Sequence, residues 1–469
     1  MKKKIIILFL IFTFMITSGF GCKLVGKDVT EKMQPITLTY WRVWDGPDAF
    51  LSAIKSYNEL HPYINIEYRK LRYEEYEKEL INALAEDRGP DIFSIHNTWI
   101  MKYKNKLESL PAEITLVYPV IQGSIEKKVV PVLKTTKTIT LNEIKNNFVE
   151  AVYNDVVIEE EIEKQDVQKI YGLALSVDNM AMFYNKDIFN NSGIAEPPKY
   201  WNRDFQQAVK KMTKQDAKGN IIQSGVALGG GANVERQSDI LSLLMMQNGT
   251  EMMQKSNRVT FNLIPNPLQA QGYNPGAEAL RFYADFANPS KEVYCWNSTM
   301  ENSLDMFIQG KLAMMFGYAY HLPTIRTRAP KLNFGIASMP QIEGSSKTTN
   351  FANYWVEVVS KKSQNKDAAW DFIQYITKEE QAKVYLEKTK KPTALRSLIN
   401  QQIDDVDIGV FANQVLTANN WYHGEDANAM ELIFEDMITE VNSSDEKLTD
   451  ILNRASNRVQ QTVIKNNKK

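Results

Sequence analysis

Ile36-Thr37-Leu38-Thr39-Tyr40-Trp41 alternates apolar and polar side chains, with Ile36, Leu38 and Tyr40 on one side, and predicts a β-strand. From Asp48 to Leu60 the spacing changes: Phe50, Ile54 and Tyr57 recur at i, i+4 and i+7, one stripe of a helix. Pro62 interrupts, and Ile64, Ile66 and Tyr68 alternate again as a second strand. Tyr76, Leu80 and Leu84 stripe a second helix that Gly89-Pro90 stops, and Asp91 to Ile95 reads as a third strand. The order β-α-β-α-β is that of a mostly parallel sheet wrapped by helices, an α/β fold. Such sheets bind ligands at the carboxyl ends of their strands, which here carry Trp44, Asp45, Asn97 and Trp99.

Outward from this unit, the rest of the chain bounds the problem. About 430 residues remain once the N-terminal segment is set aside, too many for one core, so two domains are expected. Hydrophobic content of 43% and charged content of 24% are ordinary for a globular protein. A net charge of −1 offers no electrostatic case for nucleic acid. The four histidines have no ligand spacing, so no metal site is predicted, and no cofactor motif is seen. Gly229-Gly230-Gly231 is no phosphate loop, since no Gly-Lys-Ser/Thr follows; a sharp turn or a close backbone approach to ligand is the reading. Near the C-terminus, Met430, Ile433, Met437 and Val441 stripe one helix. Ser443-x-x-Glu446 reads as a capping box opening another, striped by Leu448, Leu452, Ala455 and Val459.

The N-terminus reads as an export signal over 1–21: Lys2, Lys3 and Lys4 precede an apolar run from Ile5 to Ile16 broken by one Thr, too short to span a bilayer. Cys22 after Gly21 resembles the bacterial lipobox, in which the Cys is acylated and becomes the mature N-terminus. Gly19 and Phe20 depart from its usual pattern. Residues 22–35 then form a polar tether, and the chain is expected outside the cytoplasm, held to the membrane by lipid at Cys22. With Cys22 acylated, Cys295 is left as a lone buried thiol.

Several segments together resemble the extracellular solute-binding proteins of the maltose-binding type. They are Thr39-Tyr40-Trp41 through Asp45, Ala85 to Ile95, and Lys169-Ile170-Tyr171-Gly172-Leu173 leading to Asp178 and Tyr184-Asn185-Lys186-Asp187. Pro197-Pro198-Lys199 with Trp201, Gly310-Lys311-Leu312-Ala313-Met314, Trp355 to Ser360, Ala368 to Ile373 and Thr393-Ala394-Leu395-Arg396 extend the match to the C-terminal region. The resemblance implies a two-lobe, type II periplasmic-binding fold with discontinuous lobes joined by crossing strands and extra C-terminal helices. One lobe would take 36–176 and 337–377, the other 177–336 and 378–469. It also implies delivery of the ligand to the permease subunits of an ABC transporter with a separate ATPase; a monomer is assumed, since nothing in the sequence bears on oligomeric state. Ala174 stands where the family often has Pro. The stretch between Leu110 and Lys169, β-rich and then acidic, is longer than usual and reads as an elaborated surface insertion or a docking element.

For a carbohydrate, aromatic rings cover the C–H faces while Asp, Asn and Arg grip the hydroxyls. Candidate ligand residues are Trp44, Asp45, Asn97 and Trp99, with Asp178 from the crossing segment, Asn233 and Arg236 from the glycine loop, Tyr318 and Tyr320, Trp355, and Trp421. Trp41, Trp201 and Trp370 sit in helix or strand patterns and are expected in the core. Rival readings keep the fold but change the ligand to glycerol phosphate, a polyamine or a peptide, or make the chain a surface co-receptor. A glycoside-acting enzyme would need two carboxylates ~5–10 Å apart, with Asp45 and Asp178 as the candidates. No catalytic residue is assigned.

Overall fold

A computed structural model of the protein describes residue 29 and residues 32–124 and 127–463; the expected export signal and Cys22 lie outside them. The β-α-β-α-β unit is present as β1 Ile36–Arg42, α1 Leu51–Leu60, β2 Ile64–Lys70, α2 Tyr73–Ala85 and β3 Ile92–His96. β1 lies between β2 and β3 and runs parallel to both. The strand Trp355–Ser360 returns from far along the chain to pair antiparallel with β3, and Leu107–Glu108 completes this five-stranded sheet. Tyr57 on α1 and Tyr76, Leu80 and Leu84 on α2 are buried, as their spacing predicts.

The second lobe is built on an antiparallel sheet, with Ala181–Asn185 between Met314–Gly317 and Phe334–Ala337. The helices Ala427–Ser443 and Leu448–Thr462 bury Met430, Ile433, Met437, Leu452, Ala455 and Val459. A narrow strip joins the lobes: Asn350–Asn353 pairs with Asp178–Asn179 on one side and with Ala418–Asn419 on the other. Trp41, Trp201 and Trp370 are core residues, and the Cys295 thiol is buried, its Sγ donating to the Val226 carbonyl at 3.3 Å.

Three expectations change. The first lobe does not end at 377, because the helix Glu379–Thr389 packs on it: the Tyr385 hydroxyl donates to Asp45 at 2.9 Å and Lys391 reaches both Asp45 oxygens at 2.7 and 2.9 Å. The chain crosses after Lys391, where Val177 N donates to the Pro392 carbonyl at 3.1 Å and Ser176 bridges Thr393. Ser443 is no N-cap. It is the last residue of its helix and its hydroxyl donates back to the Thr439 carbonyl, while the next helix starts at Leu448. The glycine loop does turn sharply, Gly229 taking φ +92°, but its close approaches are to protein. A Cβ on Gly230 would lie 2.7 Å from Trp296 Nε1, and one on Gly231 would lie 2.6 Å from Thr439 Oγ1.

The stretch 110–170 forms two hairpins separated by two short helices, Leu141–Asn147 and Glu150–Val156. The first pairs Glu113–Gln122 with Lys128–Lys137 over ten residue pairs; the second pairs Val157–Ile162 with Gln165–Ile170. The base of the first is fastened to the lobe. Tyr63 donates its hydroxyl to the Val117 carbonyl at 2.7 Å and accepts from Val117 N at 3.0 Å.

At the end of β1, Arg42 is buried beside Glu357 at 3.3 Å and Asp45 at 3.1 Å. Glu357 also accepts from the Tyr40 hydroxyl at 2.7 Å and from Ser94 Oγ at 2.8 Å, which ties β1, β3 and the returning strand together. Removing one member of a buried ion cluster leaves its partner uncompensated, at a cost of ~3–5 kcal/mol. Glu357→Leu is therefore expected to lose about that much stability in denaturant unfolding; a loss below ~1 kcal/mol would show that Arg42 needs no buried partner.

Candidate functional site

The loops after β1, β2 and β3 place an aromatic wall on the first lobe. Trp44, half exposed at 51%, has a left-handed backbone (φ +62°) that turns its indole out of the β1 line. It stacks on Tyr73, the first residue of α2, with ring centroids 5.0 Å apart and planes at 21°. Trp355 backs this pair, edge-on to Tyr73 at 6.4 Å, to Tyr76 at 5.9 Å and to Trp99 at 5.5 Å. Trp99 is buried behind Trp355 and supports the wall rather than forming its surface.

The second lobe carries a matching stack. Tyr320, 48% exposed, lies over Tyr318 at 5.5 Å and 18° and over His321 at 4.2 Å and 29°. Tyr318 is fully buried and donates its hydroxyl to Asp239 Oδ2 at 2.5 Å. Asp239 in turn holds Arg236 through two hydrogen bonds of 2.8 and 2.9 Å, and Arg236 also reaches Glu431 at 2.8 Å. This fork fixes Arg236 while leaving it partly exposed. The lobes face each other here. Burial, and then the Glu431 charge, raise the Tyr73 hydroxyl's pKa, with Arg236 opposing.

Between the stacks lies the crossing strip. Asp178 Oδ1 accepts from the N–H of Asn179 at 2.9 Å and of Ala319 at 3.1 Å, and Oδ2 from Tyr320 N at 3.3 Å. Burial pushes its carboxyl up to about 7 in spite of those donors. Asn353 is its register partner and contacts His96 Nε2 at 3.1 Å, while His96 Nδ1 meets Thr98 Oγ1 at 2.8 Å. Burial lowers His96 to about 4, so the imidazole is neutral at pH 7.

Several expected contacts have other employment. Asp45 is buried and already meets Lys391, Tyr385 and Arg42. Burial opposes its ionisation, but Arg42 and Lys391 outweigh burial and hold the carboxyl below its ordinary range. Asn97 is buried and donates to Asp155 Oδ2 at 2.9 Å, alongside the Tyr354 hydroxyl at 2.7 Å. Asn233 is spent on the segment 296–300, accepting from Trp296 Nε1 at 3.0 Å and donating to the carbonyls of Asn297 and Met300. Trp421 is a core residue, its indole donating to Ser242 Oγ at 3.0 Å and its ring against Phe261 and Phe434. Sequence reasoning missed Tyr73, which follows the carboxyl end of β2 and was open to the same strand-end rule. It also missed His96, Asp239 and Lys391, which carry no local signal. Among the described residues, no cluster of His, Cys, Asp or Glu is arranged to hold a metal ion.

Two α/β lobes, three chain crossings and a cleft walled by aromatic stacks define a two-lobe binding protein of the type II periplasmic kind. The sequence pattern of the bacterial extracellular solute-binding proteins matches residues 44–383, and the chain belongs to that family. A binding protein of Brucella abortus is 26% identical over 239 residues, 50% of this chain and 51% of its own length. The galactooligosaccharide-binding protein of Bacillus subtilis is 23% identical over 253 residues, 54% of this chain and 55% of its own. The chain thus spans about half the length of the curated relatives it matches. Among solved structures, the cyclic α-maltosyl-1,6-maltose binding protein from Arthrobacter globiformis superposes with a TM-score of 0.70 at 17% identity, covering 91% of this chain and 99% of that one. A cyclo/maltodextrin-binding protein complexed with maltotetraose gives 0.68 at 15%, covering 95% and 100%. These likenesses support the two-lobe fold.

The raised carboxyl of Asp178 has a consequence for stability. Its folded value of about 7 exceeds the unfolded value of ~4, so its stabilising contribution is full below the unfolded value and is lost as pH rises through about 7. Between pH 5 and 8 the melting temperature of the unliganded protein should fall more steeply than that of Asp178→Asn, by about 2–4 °C. Parallel slopes in calorimetry would mean that Asp178 ionises normally.

Proposed function

We propose that this chain captures a carbohydrate between its lobes and delivers it to the permease pair of an ABC transporter whose ATPase is a separate chain. The observation that carries this reading is the pair of half-exposed stacked rings, Trp44 on Tyr73 and Tyr320 on Tyr318, on opposite lobes and flanking Asp178. Two ring faces with a carboxylate and an amide between them suit a pyranose, which presents apolar C–H faces and a rim of hydroxyls. A polyamine site would need several free carboxylates, whereas Asp239 and Glu431 are committed to Arg236 and Asp45 to Lys391. The same commitment of Asp45 leaves a hydrolase without its second carboxylate. The galactooligosaccharide-binding relative and the sugar-binding proteins of like fold point the same way.

The free protein exchanges between open and closed lobe arrangements, and a ligand touched by both walls favours the closed one. Closure brings Trp44 and Tyr320 onto one sugar, and the closed form is the one the permease accepts. The chain acts as a monomer outside the cytoplasm, anchored by lipid at Cys22.

A thermal-shift panel on a soluble form beginning at Lys23 tests the ligand class, with mono- and oligosaccharides, glycerol phosphate, polyamines and short peptides. A sugar at a hundred times its dissociation constant should add ~2.7 kcal/mol of stability, a rise of a few degrees. Shifts with peptides or polyamines alone would overturn the carbohydrate reading. Trp44→Ala and Tyr320→Ala should each remove ~1.5–3 kcal/mol of binding, roughly 10- to 100-fold in affinity. Trp421→Phe should leave the affinity unchanged by calorimetry.

A further inference from the structure

The helix Glu150–Val156 carries a buried carboxylate, Asp155, only 2% exposed. It is held to the first lobe. The Tyr354 hydroxyl donates to the Ala151 carbonyl at 3.2 Å and to Asp155 Oδ2 at 2.7 Å, and Asn97 Nδ2 donates to the same oxygen at 2.9 Å. Two donors therefore meet at Oδ2, while Oδ1 makes no hydrogen bond among the described residues. A buried carboxylate oxygen left in that state is costly, and calls for a donor. One faces it from the other lobe: His423 Nδ1 lies 4.0 Å from Oδ1, with the imidazole side chain 35% exposed.

His423 belongs to the second lobe, for it follows Trp421, bonded to Ser242, and Tyr422, whose hydroxyl donates to Thr462 Oγ1 at 2.7 Å. The contact thus spans the lobes outside the strip of strands that joins them. It lies on the cleft side: Asn97 follows His96 at the carboxyl end of β3, and His96 feels the charges of Arg236 and Asp239 in the second lobe. At 4.0 Å the pair is about 1 Å short of a hydrogen bond, a gap that a small change of lobe angle closes. Burial pushes the Asp155 carboxyl above its ordinary range, and His423 opposes burial most strongly, ahead of Asn97, Tyr354 and Asn420. The other charged groups of neighbouring elements are engaged elsewhere or exposed. Glu143 is bonded to Thr140, Lys145 lies over Tyr153, and Glu160 meets Lys104 and Lys169. Glu150, Glu159 and Glu425 are exposed, and Asp426 caps its helix at Ala429 N. Burial lowers His96 and His321 to about 4, and His61 is buried beside Asp371 within the first lobe.

We propose that His423 and Asp155 form a proton-operated latch between the lobes: the imidazolium donates to Asp155 Oδ1 as the cleft narrows, and loss of its proton frees the pair and favours the open form. His423 is then a positioning residue that acts on the ligand through the lobe angle. Closure favours the protonated imidazole, so capture is helped on the acid side of its titration and weakened as pH rises through it. The gain fades again at a pH low enough to protonate Asp155. The inference rests on the lobe exchange proposed above and is independent of which solute fills the cleft.

The test uses the unliganded soluble form beginning at Lys23, with spin labels at Leu60→Cys on the first lobe and Ile222→Cys on the second, positions 43% and 55% exposed. Cys295 is buried with its thiol pushed up to about 12, and stays unlabelled. Double electron–electron resonance near pH 6 and near pH 8 reads the closed and open populations. The expected closed-to-open ratio is about fivefold higher near pH 6. That response should vanish in His423→Gln and in Asp155→Asn, yet persist in Asp178→Asn, whose native carboxyl also titrates in this range. His423→Lys, charged at both values, should keep the closed distribution near pH 8. Two populations whose ratio ignores pH, a shift toward longer distances near pH 6, or a response abolished by Asp178→Asn rather than His423→Gln would each overturn the latch while leaving the lobe exchange intact. A single distance in every variant would remove the lobe exchange and the latch with it.

Discussion

A guanidinium cannot be taken out of water at the end of a β-strand without carboxylates to meet it. Arg42 is 3% exposed, and much of the first lobe is arranged around that constraint. Glu357 comes from the strand that returns after the second lobe, and Asp45 from the loop directly beyond β1. The cluster then holds one carboxylate more than it has guanidinium, and Lys391, at the end of that same return, completes it. The faces of Phe50 and Tyr385 cover the guanidinium carbon at 5.0 and 5.5 Å. Three segments distant in sequence are thereby obliged to meet at the carboxyl ends of β1 and β3, which is where the binding loops begin.

The cluster also explains the division of labour among the aromatics. With Asp45 drawn inward, the next residue back, Trp44, takes the strained left-handed backbone and faces outward onto Tyr73. On the other lobe the same logic holds through Asp239, which anchors buried Tyr318 and forks Arg236, leaving Tyr320 at the surface. In each case a charged group underneath positions a ring that a second ring supports. Asp178 sits where the lobes join, its oxygens held by backbone donors from both the crossing strand and the Tyr320 loop. A change in lobe angle would therefore act directly on Asp178.

The two hairpins of the insertion show how similar local patterns diverge in context. The second is acidic and is tied to the lobe by Lys104 at Glu160, which also meets Lys169 of its own hairpin and accepts from the Tyr171 hydroxyl. The first has its charges at the base and near the tip and its apolar pairs between, so only its lower half finds a surface to cover.

Periodicity alone determined the β-α-β-α-β unit, the stripes of the C-terminal helices and the burial of Trp41, Trp201 and Trp370, because these depend on neighbours three or four residues away or alternate along one strand. Segment order, read as a family resemblance, determined the two lobes and the strand ends as the place to look for ligand. Residue type did not determine which of those loop residues face the cleft. Asn97, Asn233, Trp99 and Trp421 are of the right chemistry, yet each is turned inward by a partner far along the chain: Asp155, Trp296, Trp355 and Ser242. Only the tertiary structure could decide between inward and outward, because that choice is settled by which buried charges and donors must be satisfied. Asp45 shows this most clearly, since the lysine that claims it lies 346 residues away.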